Sequence, residues 1–480
     1  VYDGVMYIVS ARGIVEALDA ETGELRWRYR HDHELENLRG IVTTRNLAIY
    51  DDKLYVTTFD GFLVALDART GDVAWSVAGA DYRLGFRYTT GPIVVRGKVV
   101  VSTNGCDRYH AAKDDPCFIS AYDAQTGEEA WRTSTVAKPG EPGGDSWGDT
   151  PLMFRIGGDA WIAGSFDPDT NLIYWATAQA KPWTRFQRGH SGAALYTNSV
   201  LALDPDTGEI AWYRQLIPGD THDMDEVFEN LLVDHAGRHS LFKIGKLGIL
   251  WELDRMTGEF LAAHDLGYQT LVDVDAQTGA VAYRPGVIPL EGEELVICPS
   301  VAGLRGWRSI AYHPETRAFY VPMLVSCERS RFGPAPERVE GSGGGGIAHH
   351  EHIMHPARPD GLGEFAAIDV DGHVLWRHQT RTPMGSAALT TGGGLAIVGD
   401  WDRNLYVHDA ASGAILYTTR MPSSVTGYPI SYAVNGRQYI AVSVGTDPSM
   451  WSGVPESITT DKVRPAGGGY SIFVFTVPED

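Results

Sequence analysis

Residues 65–75 read ALDARTGDVAW. An apolar alternation runs into Asp-Ala-Arg-Thr-Gly, and a second strand leaves that turn and carries Trp75. An Asp side chain that bonds the N–H groups ahead of it, with Gly supplying positive φ, makes Asp-x-x-Thr-Gly a tight turn between antiparallel strands. The string returns as ALDAETGELRW at 17–27, AYDAQTGEEAW at 121–131 and ALDPDTGEIAW at 202–212. Weaker copies are ELDRMTGEFLA at 252–262, AIDVDGHVLW at 367–376 and VHDAASGAILY at 407–417. DVDAQTGAVAY at 273–283 reads as the same turn inside an insertion. Most copies recur every ~40 to 80 residues, the length of a four-stranded propeller blade plus insertions. A large flat ring at a fixed place in each copy wedges between neighbouring sheets. The long gap between 252 and 367 has room for a diverged copy. The prediction is an all-β, eight-bladed β-propeller with Trp-docking repeats, forming a single domain over residues 1–480. The opening Val1-Tyr-Asp-Gly-Val-Met-Tyr-Ile-Val already reads as a turn entering a strand, so an N-terminal portion, with a secretion signal, is expected upstream.

Composition narrows the function classes. Forty basic and 61 acidic residues leave a net charge of −21. That charge argues against nucleic acid as a partner and suits a cationic protein. No run of 18 apolar residues is present to span a membrane. The four cysteines, Cys106, Cys117, Cys298 and Cys327, are even in number and widely spaced. They fit two disulfides, Cys106–Cys117 and Cys298–Cys327, and hence an oxidising compartment. No Cys-x-x-Cys-His run occurs, so no c-type haem is attached to this sequence.

Function should lie where the chain departs from its repeat. The stretch GDTHDMDEVFENLLVD, residues 219–234, crowds acidic side chains just before a strand. Asp223 and Asp225, two apart, point the same way if the loop is extended. Asp107 and Gln179 follow the ends of apolar strands. Carboxylates gathered with an amide oxygen form a hard cage suited to Ca²⁺ or a larger trivalent ion rather than Zn²⁺. Trp161 lies outside the turn-Trp position. The histidines of IAHHEHIMHP, His349, His350, His352 and His355, have the chemistry of transition-metal ligands, but they follow a GSGGGG run and read rather as a mobile surface loop.

These residues, in this order, resemble the pyrroloquinoline quinone (PQQ)-dependent alcohol dehydrogenases, over nearly the whole chain. The segment TTRNLAIYDDKLYVTTFDG is similar to the family's Asn-Arg-Gly-Val-Ala segment, which puts Arg45 on PQQ. The resemblance further implies cofactor contacts from Thr89, from the Asn104–Gly105–Cys106 backbone and from Thr177. It stacks Trp161 beneath the planar ring and places Lys246 near the quinone oxygens. GDTHDMDEVFE resembles the family's Asp-x-Trp-Asp-Tyr segment, which makes Asp223 the catalytic base.

Asp107, Gln179, Asp223 and Asp225 would hold the metal, with Asp107 in place of the family's Glu and Gln179 in place of its Asn. Ca²⁺ is the expected ion, and Asp225 leaves room for a lanthanide. The implied reaction is hydride transfer from an alcohol to C5 of PQQ, with electrons passing to a soluble cytochrome c or similar acceptor in the periplasm. His222 and Gly306 stand where the family has Trp and Asn, which points to a bulky or secondary alcohol. A non-catalytic propeller scaffold of the outer-membrane assembly type shares the repeat but has no use for this set of residues.

Overall fold

The computed structural model describes residues 1–10, 12–33, 44–445, 453–458 and 470–477. Strands dominate; among the described residues the α-helices are two short segments, Arg185–Arg188 and Gly453–Ile458. The repeat turns form as their chemistry dictates. In the turn at 67–71, Asp67 Oδ1 accepts the N–H groups of Arg69 and Thr70 at 2.8 and 3.0 Å, and Gly71 takes φ +78°. The same cap recurs at Asp19, Asp123, Asp204 and Asp254. It recurs again at Asp275, inside the expected inserted hairpin Val272–Val274/Val281–Tyr283.

Six antiparallel sheets have four strands each, and the first and last sheets along the chain have three. Each of the seven copies contributes an adjacent strand pair to one of these sheets. Indoles lie across to the next copy. Trp27, Trp75, Trp131 and Trp376 donate Nε1–H to the carbonyls of Ala68, Ala124, Pro205 and Ala410, at 2.9 to 3.1 Å. Tyrosine hydroxyls follow the same rule: Tyr55 donates to Ala124 and Tyr320 to Ala410. Tyr432 in the last sheet donates to Ala20 in the first at 2.9 Å, and Met6, Ala20 and Ala441 are buried between those two sheets.

One expectation is corrected. The gap between 262 and 367 does not hold a diverged copy. It holds the hairpin at 272–283, a three-stranded sheet of Glu294–Ile297, Ser326–Phe332 and Ile347–Met354, and Ala311–His313 and Ala318–Leu324, the first two strands of the sheet that the copy at 367–376 completes. The sheet without a copy is the last one, Ile430–Val434, Arg437–Val444 and Ser471–Thr476. Its first turn is Asn435-Gly436, both at positive φ, the usual pair for a two-residue hairpin.

The meander sorts the loops. Within a four-stranded antiparallel sheet, the turns joining strands one to two and three to four lie at one edge. The turn joining two to three, and the link to the next sheet, lie at the other. The Thr-Gly turns occupy the first edge. Every residue expected in the site falls on the second: Asp107, Gln179 and Lys246 in two-to-three loops, and Arg45, Thr89, Trp161, Asp223 and Asp225 in links between sheets. Antiparallel topology therefore puts residues scattered from 45 to 246 at the same end of their own sheets, and contacts such as Gln179–Asp225 and Arg45–Trp161 join those ends.

Candidate active site

The acidic stretch divides its carboxylates among different tasks. Asp220 anchors the loop: its two oxygens accept the N–H groups of His222 and Met224 at 3.2 and 2.8 Å. That clamp holds Asp223 at φ +61°, a left-handed conformation that Asp tolerates better than most residues. Glu229 pairs with Arg305 and accepts Ile310 N–H. Glu226 is fully buried against Gly245, where any Cβ would collide with its carboxyl group. Burial raises its pKa to about 8, against the pull of Lys243 and Arg305.

Asp223 and Asp225, each 5% exposed, converge on Lys246. Its ammonium lies 3.1 Å from Asp223 Oδ2 and 2.9 Å from Asp225 Oδ2, and donates to the Asp223 carbonyl at 2.7 Å. Two buried carboxyl groups thus share one ammonium, and negative charge is left over. Burial and the neighbouring Asp225 push the Asp223 carboxyl well above the usual range, although Lys246 and Lys181 pull it down. Burial alone would lower Lys246, but the two aspartates outweigh it and hold the ammonium charged. Gln179 joins the group through its backbone N–H, which donates to Asp225 Oδ1 at 3.2 Å. The Gln179 amide oxygen is buried without a hydrogen-bond partner, an acceptor fit for a cation or a polar ligand.

Sequence reasoning missed Asp159 and Lys181. Lys181 Nζ lies 3.1 Å from Asp159 Oδ2, and Asp159 Oδ1 accepts the Cys106 N–H at 3.0 Å. Burial opposes the Lys181 charge, but Asp159, Asp107 and Asp223 together raise its pKa. Asp107 feels burial upward, but Lys181 and Arg108 hold it below the usual range. Among the described residues, Asp107 does not join Asp223 and Asp225 in one cluster tight enough for three carboxylates to share an ion. The Lys just before Pro-Trp, in AQAKPW, was the signal available for Lys181. Asp159 carried none, because its role depends on contacts with Cys106 and Lys181.

Arg45 and Trp161 also meet. The guanidinium carbon of Arg45 sits 5.1 Å from the centre of the Trp161 ring, and its Nη1 donates to the Thr89 carbonyl at 2.9 Å. Phe228 holds the indole edge-to-face at 5.3 Å. Thr89 Oγ1 and Asn104 Oδ1 are buried without partners. Gly105 packs so closely that a Cβ there would fall 2.2 Å from the Gly85 carbonyl oxygen. A flat ring, cations and orphaned polar atoms at one end of the fold suit a planar polyanionic ligand. The Thr177 hydroxyl is committed elsewhere, donating to the Tyr196 carbonyl and accepting Ser199 N–H. Both disulfides form as expected, Cys106–Cys117 and Cys298–Cys327.

A second expectation is corrected at the histidines. They do not form a mobile loop: Ile347–Met354 is a strand paired antiparallel with Ser326–Phe332. Isoleucine at both ends and ladder hydrogen bonds along its length outweigh the preceding glycines. The connection at 333–346 reaches the site loops: Tyr109 N–H donates to the Ser342 carbonyl, Gly341 N–H donates back to Tyr109, and Gln187 Nε2 donates to Gly333 and Gly346.

Comparison with known proteins finds relatives over most of the chain. The family model of the PQQ glucose/ethanol/alcohol dehydrogenase β-propeller domain matches residues 1–265 and 361–440. Quinohemoprotein alcohol dehydrogenase ADH IIB of Pseudomonas putida is 31% identical over 478 residues, which span 94% of this chain and 67% of that protein. Quinoprotein alcohol dehydrogenase PedH of Pseudomonas putida KT2440 is 30% identical over 510 residues, 99% of this chain and 83% of that protein. A solved europium-containing methanol dehydrogenase superposes with a TM-score of 0.87 at 25% identity, covering 99% of this chain and 90% of the other.

Proposed function

The chain belongs to the PQQ-dependent alcohol dehydrogenase family, and from that premise we propose that it oxidises a bulky or secondary alcohol to the carbonyl in the periplasm. Its electrons pass to an external cytochrome c or similar acceptor. The observation that carries the reading is the buried Asp223–Lys246–Asp225 group at the same end of the fold as Arg45 and Trp161. A scaffold protein has no use for two carboxyl groups sharing one ammonium away from water. We infer further that the seven repeat-bearing sheets and the last sheet are the blades of one propeller, docked mainly through the Trp–turn contacts.

PQQ, when bound, supplies an ortho-quinone that accepts hydride from the alcohol carbon. Arg45 and Lys246 neutralise its carboxylate and quinone oxygens, and the Trp161 ring offers a flat face. Arg45, which lies over the indole, would have to leave or share that face for a planar ligand to stack there. The Asn104 amide oxygen and the Thr89 hydroxyl would offer polar contacts beside Gly105, whereas the Asn104 and Cys106 backbone and the Thr177 N–H are already bonded within the protein. Asp223 takes the alcohol proton, and its raised pKa makes it a stronger base than an ordinary carboxylate once ionised. The paired carboxyl groups of Asp223 and Asp225 and the orphaned Gln179 oxygen would favour a hard cation there, Ca²⁺ or a lanthanide, whereas Asp107, expected as a further ligand, stands outside that cluster. Such an ion acts as a Lewis acid.

Two substitutions support a roomy mouth. His222 is turned inward, its Nε2 2.7 Å from the Val287 carbonyl. A Cβ added at Gly306 meets nothing closer than 3.7 Å.

The test is reconstitution with PQQ and either Ca²⁺ or La³⁺, followed by dye reduction across a panel of primary and secondary alcohols. Asp223→Asn is expected to lower turnover by ~10²- to 10⁴-fold while PQQ binding, read by quenching of tryptophan fluorescence, persists. Turnover that survives in Asp223→Asn removes this residue from the role of base.

A further inference from the structure

The histidine strand carries a cluster that alcohol oxidation leaves without a role. The pairing register sets Glu328 opposite His352 and Ser330 opposite His350. The pleat then puts His350 and His352 on one face, and His349 and Glu351 on the other. His350 Nε2 lies 3.0 Å from Glu328 Oε2. The two imidazole rings are 4.2 Å apart at 66°. One ligand atom from each of Glu328, His350 and His352 lies within 4.8 Å of the other two.

The carboxylate is fixed in place. Glu328 is 1% exposed, and its Oε2 accepts Val301 N–H at 2.7 Å. A Glu–His ion pair needs one imidazole; a second imidazole brought to the same carboxylate makes the donor set of a metal site. Two imidazole nitrogens and one carboxylate oxygen suit Zn²⁺ and its first-row neighbours, whereas Ca²⁺ prefers oxygens alone.

We propose that Glu328, His350 and His352 form a three-ligand site for a divalent ion of the Zn²⁺ type, separate from the hard-cation site at Gln179 and Asp225. The ion would staple the two strands whose connection, 333–346, lies against Tyr109 and Gln187. Three protein ligands leave its fourth position to water.

The test uses Co²⁺ as the probe, added to the full chain after chelator treatment. A tetrahedral Co²⁺ ion reports itself by visible absorption. The expected result is one equivalent bound with such a band, displaced by Zn²⁺ and not by Ca²⁺. His350→Ala and His352→Gln should each weaken binding by at least ~10-fold, since even outer-shell changes around a metal cost ~10- to 100-fold. His349→Ala, on the exposed face, should bind as the parent does. Absence of the band in the unaltered chain overturns the proposal without reference to any variant. So does a band of unchanged strength in folded His350→Ala and His352→Gln.

Discussion

Asp223 shows how one side chain takes its character from its neighbours. Its carboxyl is pushed up by burial first, with Asp225 adding to the rise and Lys246 and Lys181 opposing it. A base must be ionised to accept a proton, so activity should appear as pH rises through the apparent pKa of the Asp223–Asp225 pair. Asp225→Asn removes a charge that raises Asp223, and the acidic limb of kcat/KM should move to lower pH. Lys246→Ala removes a charge that lowers it, and the limb should move to higher pH. Profiles measured at saturating PQQ check both directions. A limb that stays put in both variants dissociates it from this group. Only part of this was legible beforehand. Asp223, Asp225 and Lys246 could be named from their order along the chain, whereas Asp159 could not, because its partners are Cys106 and Lys181 and none of the three marks the others in sequence.

At the scale of the element, the Asp-x-x-Thr-Gly turn has two functions. It reverses the chain within its own sheet, and its Gly receives the indole of the preceding copy. The two can be separated by substitution. Gly23 is at φ +77° with nothing within 4 Å of an added Cβ. Gly208 is at φ +75°, and an added Cβ would lie 2.5 Å from the Trp131 ring. Gly23→Ala should cost only the left-handed strain, ~1 kcal/mol. Gly208→Ala adds displacement of a buried ring and should cost ~2 to 4 kcal/mol. Thermal denaturation of the two variants checks the difference. Equal losses would mean the ring contact contributes nothing. Among the described residues no indole meets the first sheet's turn, as the last sheet carries no copy of the repeat; there Tyr432 makes the junction to Ala20.

For the molecule as a whole, the net charge of −21 is a long-range property that no single loop reveals. A negative surface attracts a basic redox partner and raises the rate of productive encounter. The second-order rate constant for reducing a basic cytochrome c should fall by ~10-fold or more from low to physiological ionic strength. Reduction of an uncharged dye should change little over the same range. A cytochrome rate indifferent to salt points to a neutral or acidic acceptor.

The sequence by itself determined the strand–turn–strand unit, its repetition, the two disulfide pairs and the order of the site residues. Those features depend on local physics: an Asp oxygen capping N–H groups two and three residues on, a Gly free to adopt positive φ, and side chains that alternate across a strand. Tertiary structure alone decided that the sheet without a copy of the repeat lies at the C-terminal end, that residues 347–354 are a strand and not a mobile loop, and that Lys181 and Asp159 belong beside the site. Those outcomes rest on ion pairs and ladder hydrogen bonds between segments distant in sequence, whose energies exist only once the sheets have brought the partners within a few ångströms.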